Sequence, residues 1–371
     1  MLGKITPEHG IQWTKLGTWI IFTWPPNSKA TRLTKMSFQI GWWISLFFTI
    51  ISLPFGFDTA WALRENTLML VEILCLYICL IQVVAKMVIA KLNYHKFQYL
   101  MEKMETFVKN ANPHERQVLI TCVKRIAPSH LSYNMLCIIA ALLYALAPFA
   151  TGQPFPTVTQ FPFPTDKHPT YDMIFFLQAI NGFQCCASNF FDSQLSILLC
   201  YGTIQLDILA EKMRNVNSVE KLKECISTHQ DILRYVDDTI KAVRPVVITT
   251  VITATISLAF AGILIIGNGS IVHKIEFAGI ILAYSCELLC FAWAAESLTT
   301  AYEQVGWALY SSTWIQNSKE FKRTAIFVMH RCQKPPAIRF GGLMPKLSMS
   351  YYASYMSATY SFFNAVRATL K

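Results

Sequence analysis

Apolar residues dominate this chain in long runs rather than in alternating or sevenfold patterns. A helix that crosses a bilayer needs about 20 largely apolar residues. Seven stretches meet that requirement: Ser37 to Phe55, Asn66 to Ala90, His130 to Ala150, about Tyr171 to Tyr201, Pro245 to Ile266, Glu276 to about Ala295, and Lys346 to Leu370. Between them the pattern changes to a helical period. Leu222, Cys225, Ile226, His229, Leu233, Val236 and Ile240 recur at helical spacing, as do Phe321, Thr324, Ala325, Val328, Met329 and Cys332. Amphipathic helices of this kind are unstable alone and are expected to pack on one another or on partner subunits. Pro335, Pro336, Gly341, Gly342 and Pro345 then break the chain before the last span.

The pattern predicts an all-α polytopic membrane protein. It divides into an interfacial segment over 1–36, six spans with helical extensions over 37–318, a helix and hinge over 319–345, and a seventh helix over 346–371. Trp13, Trp19 and Trp24 suggest that part of the first segment lies against the bilayer interface. The loop from Thr151 to Asp172 carries five prolines and is expected to form an irregular cap.

Composition sharpens this picture. Of 371 residues, 53% are hydrophobic and only 15% charged, which excludes a disordered chain, a coiled coil and a small disulfide scaffold. The net charge of +10 would suggest nucleic acid on a soluble protein, but its placement points elsewhere. Of the 32 Lys and Arg residues, 27 fall in alternate inter-span segments and five on the other side. The positive-inside rule then sets a cytoplasmic amino terminus and an extracellular carboxy terminus. Asn268, in the sole N-glycosylation sequon, falls in a loop assigned to the outside. The eleven cysteines form no CxxC pair and read as buried apolar fillers.

No GxSxG, HExxH or P-loop pattern occurs, so no enzyme and no cofactor is expected. A G-protein-coupled receptor is disfavoured by the inverted orientation and by the absence of Asp-Arg-Tyr and Asn-Pro-x-x-Tyr signatures. A secondary transporter would show two related halves, and no internal repeat is visible. Glu72 and Glu287 stand inside spans, where a carboxylate is costly unless partnered; Gln178 or Asn181 would suit Glu287. Asp192 is placed near the cytoplasmic end of its span and expected to be solvated.

The carboxy-terminal third resembles the insect odorant receptors, which are odour-gated cation channel subunits. The resemblance rests on Val305-x-x-Ala308-x-Tyr310-x-x-x-Trp314, Cys332-Gln333-Lys334-Pro335, Leu347-Ser348 and Tyr360-Ser361-Phe362-Phe363. The related gustatory receptors end with Gln-Phe where Val366-Arg367 stands here, which favours an odorant receptor. The chain lacks the long insertion of the family's co-receptor, so it resembles a tuning subunit.

Several expectations follow from this resemblance. The chain would form a heterotetramer with a co-receptor in the plasma membrane of a sensory neuron dendrite, binding a volatile odorant without any G protein. The seventh helix would line the pore, with Ser361, Ala365 and Thr369 at or near the gate. Ser357, Ser361 and Asn364 lie near one stripe, although interhelical hydrogen bonding would use the same residues. Arg367 is expected to reach the outer interface. The odorant pocket would lie in the outer half of the membrane, among the second, third, fourth and sixth spans. Depth alone nominates Leu74, Tyr77 and Ile78; Tyr144 and Phe149; Phe176, Ala179 and Gly182; and Ile281 and Tyr284.

Overall fold

The computed structural model describes residues 6–267, 271–339 and 345–369. Ten α-helices are assigned among them. They are α1 (Pro7–Gly17), α2 (Arg32–Ala62), α3 (Thr67–Leu92), α4 (Tyr94–Asn110), α5 (Pro113–Thr151), α6 (Thr170–Arg214), α7 (Val219–Ile266), α8 (Ile271–Tyr310), α9 (Lys319–Cys332) and α10 (Met349–Thr369). Six of them, α2, α3 and α5 to α8, are long and apolar enough to cross a membrane. Helix α10 is the seventh long element and carries Ser, Thr, Asn and Arg along its length.

Several of the spans read from hydropathy are the apolar part of a longer helix, whereas the seventh, read as Lys346 to Leu370, is the shorter helix α10. The apolar run from His130 continues a helix that starts at Pro113, where Asn112 accepts from the Glu115 amide and Glu115 reaches back to the Asn112 amide. Ser218 and Ser318 cap α7 and α9 in the same way, each accepting an amide three residues on. Helices α6, α7 and α8 consequently run for 45, 48 and 40 residues, well beyond the thickness of a bilayer.

Helix α6 is the centre of the bundle. Its most apolar window is 83% buried, against 33% or less for α2, α3 and α5. It packs against α8, α5 and α7, while α2 and α3 lie outside. The periodic residues of α9 face inward as spaced: Phe321, Ala325, Val328 and Cys332 are buried against α7 and α8. Helix α10 packs on α7 and α8 and leaves the remainder of its surface exposed.

The amino-terminal segment packs on the bundle. Ile21 and Trp24 are buried in the main core, and Trp13 packs against Phe190 at 5.8 Å between ring centroids. Trp19, 69% exposed, is the one tryptophan of the three that stays at the surface. Asn268 lies outside the described residues, as does the Thr369 side chain.

Candidate functional site

A cavity of about 250 Å³ opens between α2, α3, α5, α6 and α8 beneath the loop joining α5 to α6. Aromatic and aliphatic side chains form most of its wall, the lining expected of a small-molecule pocket. The proline-rich loop closes it through specific bonds. The Thr157 amide donates to Gln178 Oε1 at 3.0 Å, and the Gln160 amide donates to Thr59 Oγ1 at 2.8 Å. Phe161 packs against Phe55 with ring centroids 4.9 Å apart, and Phe155 against Tyr171 at 5.3 Å. Proline removes amide donors along this segment, and side chains of α6 and α2 satisfy two of those that remain.

Of the residues nominated by depth, the structure brings Tyr77, Tyr144, Gly182 and Tyr284 to this wall. It does not bring Leu74, Ile78, Ala179 or Ile281 there. Phe149 and Phe176 are 75% and 64% exposed and point away from the bundle. Depth along a helix does not fix its rotation, and on α6 the inward face carries Ile174, Gln178 and Asn181 instead. Gly182 gives the Tyr144 ring its room: a Cβ there would lie 2.6 Å from Tyr144 Cδ1, and the ring would have to shift.

The floor of the cavity is polar and charged. Glu287 lines it, and Lys86 lies directly behind, 0% exposed. Lys86 Nζ donates to Asp192 Oδ2 at 2.5 Å and to Glu287 Oε1 at 2.7 Å. Gln82 Nε2 and Thr250 Oγ1 each donate to Glu287 Oε1 at 3.0 Å. This arrangement overturns three expectations. Asp192 is not solvated but 1% exposed in an ion pair. The partners of Glu287 are Lys86, Gln82 and Thr250. Gln178 and Asn181 bond instead to the capping loop and to Ser52. Lys86, counted among the loop cations, belongs to the bundle interior. The sequence does hold a signal for it: a lone lysine flanked by Val83, Val84, Met87 and Val88 in an apolar run, with two carboxylates stranded in other spans.

Helix α10 is tied to α7 by contacts of its own. Tyr355 of α10 and Thr255 of α7 share a hydroxyl–hydroxyl bond of 3.0 Å. Gly262 of α7 admits the Phe363 ring, since a Cβ there would meet Phe363 Cε1 at 2.2 Å. Ser361 and Ala365 lie on the exposed part of α10. All eleven cysteines are free.

This bundle, with its capped cavity and its six apolar spans, is that of a multi-pass helical membrane receptor. The family model described as 7tm Odorant receptor matches residues 66–360, and the chain belongs to that family. Odorant receptor Or2 of Anopheles gambiae is 22% identical over 54% of this chain and 57% of its own length, so the match spans little more than half of that relative. Odorant receptor 10 of Aedes albopictus is 20% identical over 74% of this chain and 76% of its own. Among solved structures, the insect olfactory receptor OR5 from Machilis hrabei superposes with a TM-score of 0.83 at 16% identity, covering 97% of this chain and 98% of that one. Its complex with eugenol superposes equally well, over 98% of this chain and 99% of that one. The family is one of receptors and not of enzymes.

Proposed function

We propose that this chain is the odorant-binding tuning subunit of a heteromeric odour-gated cation channel. A small volatile molecule occupies the capped cavity, in contact with Tyr77, Tyr144 and Tyr284 and with Gly182 setting its width. The cavity carries this reading: its wall is mostly apolar, a bonded loop closes it, and the Glu287 carboxylate at its floor is paired with Lys86. Tyrosine walls suit ligands with an apolar body and one polar atom.

In this reading the capped end faces outward, the amino terminus is cytoplasmic, and the protein sits in the plasma membrane of a sensory neuron. Four subunits, including co-receptor copies, surround a pore lined by α10, with Ser361, Ala365 and Thr369 at or near its gate. The exposed polar face of α10 supports that assembly, because polar side chains at membrane depth face protein or water. Ligand that binds the open arrangement more tightly shifts the population toward it. The Tyr284–Gln82–Glu287–Thr250 chain of bonds joins the cavity to α7, on which α10 rests. No G protein takes part.

Whole-cell current in cells expressing the chain with and without an insect odorant co-receptor tests this function. The expected result is a fast inward current that a volatile evokes only with the co-receptor and that survives G-protein block. Uptake of a solute without current, or current from the chain blocked by G-protein inhibition, would overturn it.

A further inference from the structure

A second cavity lies at the opposite end of the bundle from the capped pocket, where α1 closes over α4, α5 and α6. Its volume is about 280 Å³, and Ile11, Val108, Leu119, Val123, Ile126 and Ile204 supply much of an apolar wall. Three residues of that wall each carry a buried polar atom with no partner in the protein: Trp13 Nε1, His130 Nδ1 and Asn134 Nδ2. Asn134 is 0% exposed, and its Oδ1 already accepts from the Ser193 hydroxyl at 2.9 Å. His130 and Asn134 stand one turn apart on the same face of α5. Trp13 is on α1, which packs against that helix.

The chemistry of these atoms is directional. An indole N–H and an amide NH₂ only donate. Buried donors without acceptors are unfavourable, and an apolar cavity of this size does not hold a stable water cluster unless several polar partners converge on each water. The missing partner is therefore an acceptor oxygen carried by an otherwise apolar body. Leu131 shows how such a body would enter. It lines the cavity and is also 36% exposed, and it continues along α5 into the exposed apolar residues Met135, Ile139 and Leu142. The cavity thus borders the apolar surface of the bundle.

We propose that this second cavity binds an apolar molecule bearing one carbonyl or ester oxygen, which accepts from Trp13 and Asn134 and holds α1 against the bundle. Two sources share that chemistry, the ester-linked acyl chain of a bilayer lipid and a free fatty ester. The proposal does not depend on the odorant reading of the capped pocket.

Photolabelling of the purified full-length chain tests it, with adducts mapped by mass spectrometry. Three probes are used: a diazirine-bearing phosphatidylcholine in nanodiscs, a diazirine-bearing palmitic acid methyl ester added to micelles, and a diazirine-bearing hexadecane. The expected result is labelling of peptides spanning 7–14 and 122–134 by one or both ester probes. That labelling should fall at least fivefold in Trp13→Phe, which keeps the ring and loses the N–H. In Ala127→Phe, which fills the cavity, it should fall to background. Labelling by phosphatidylcholine alone identifies a bilayer chain as the occupant; labelling by the methyl ester alone identifies a free lipophile. Equal labelling by hexadecane would overturn the acceptor requirement. Ester labelling that leaves these peptides untouched, or that persists in both variants, would overturn the site.

Discussion

The hydroxyl of Tyr284 donates to the side-chain oxygen of Gln82 across 3.0 Å. Ser257 in turn donates to the Tyr284 hydroxyl at 3.3 Å. One phenol on the cavity wall thereby ties α8 to α3 and α7. Tyr284→Phe keeps the ring and removes that junction, leaving two buried polar groups short of a partner, a loss of about 1–3 kcal/mol. Volatile potency is expected to fall about five- to tenfold, with surface delivery intact. Dose–response curves on cells matched for surface receptor check this, and unchanged curves would remove the tyrosine from the coupling path. Tyr77→Ala is expected to lower potency as well, by opening the cavity wall.

Lys86 holds two carboxylates that sit in different helices, α6 and α8. Lys86→Met leaves both without their cation in a dry interior. Breaking a buried ion pair from one side costs about 3–5 kcal/mol. The single variant is expected to lose most surface receptor and to melt well below the parent. Lys86→Met combined with Asp192→Asn and Glu287→Gln removes the charge imbalance and is expected to recover most of the folded protein. Fluorescence-detected size-exclusion after heating separates these outcomes; a triple variant no better than the single one would mean the lysine acts through its shape alone.

The capped cavity is narrow where Gly182 meets the Tyr144 ring. Gly182→Ala forces that ring to shift, because the added carbon would lie 2.6 Å from Tyr144 Cδ1. The expected outcome is a change of selectivity: weaker responses to the bulkier members of a homologous volatile series, with the smallest retained. A uniform loss across the series would instead indicate a folding defect.

Helical spacing identified much of this architecture. Leu222, Cys225, His229, Val236 and Ile240 are buried along α7, as their spacing implied. Phe321, Ala325, Val328 and Cys332 are buried along α9. Spacing fixes which residues share a face of one helix, and that is local information. The site is assembled from pairs far apart in the chain: Lys86 and Asp192 are separated by 106 positions, and Lys86 and Glu287 by 201. No periodicity reports such a pairing. Phe176 shows the related difficulty of rotation. It lies two positions from both Ile174 and Gln178, so the step of the helix carries it to the outer face.

His229 stands on α7 well before the apolar run that begins at Pro245, in the part of the bundle where α7, α8 and α9 meet. It is 4% exposed, its Nε2 has no partner, and its ring lies 5.6 Å from Tyr302. Burial, reinforced by the Arg331 charge, pushes its pKa down to about 4 from an ordinary 6.5. Between those values the unfolded chain binds more protons than the folded one, so stability falls as the pH drops from 6.5 through 4. The protection of α9 amides, corrected for the intrinsic slowing of exchange in acid, is expected to fall over that window in the parent protein. In His229→Phe it should stay flat, and equal acid sensitivity in both would assign the effect to another group.

Helix α8 carries Tyr284 and Glu287 on the cavity and extends to Tyr310 beside α9, 40 residues with no proline among them. At 1.5 Å per residue it is a beam of about 60 Å, twice the hydrocarbon thickness of a bilayer. A beam answers a push at one place by moving everywhere. A tilt of about 5° about one end carries the other through about 5 Å, close to one helical turn. On the proposed function, a ligand that merely widens the cavity would impose a displacement that grows with distance along α8, on which α9 and α10 both rest.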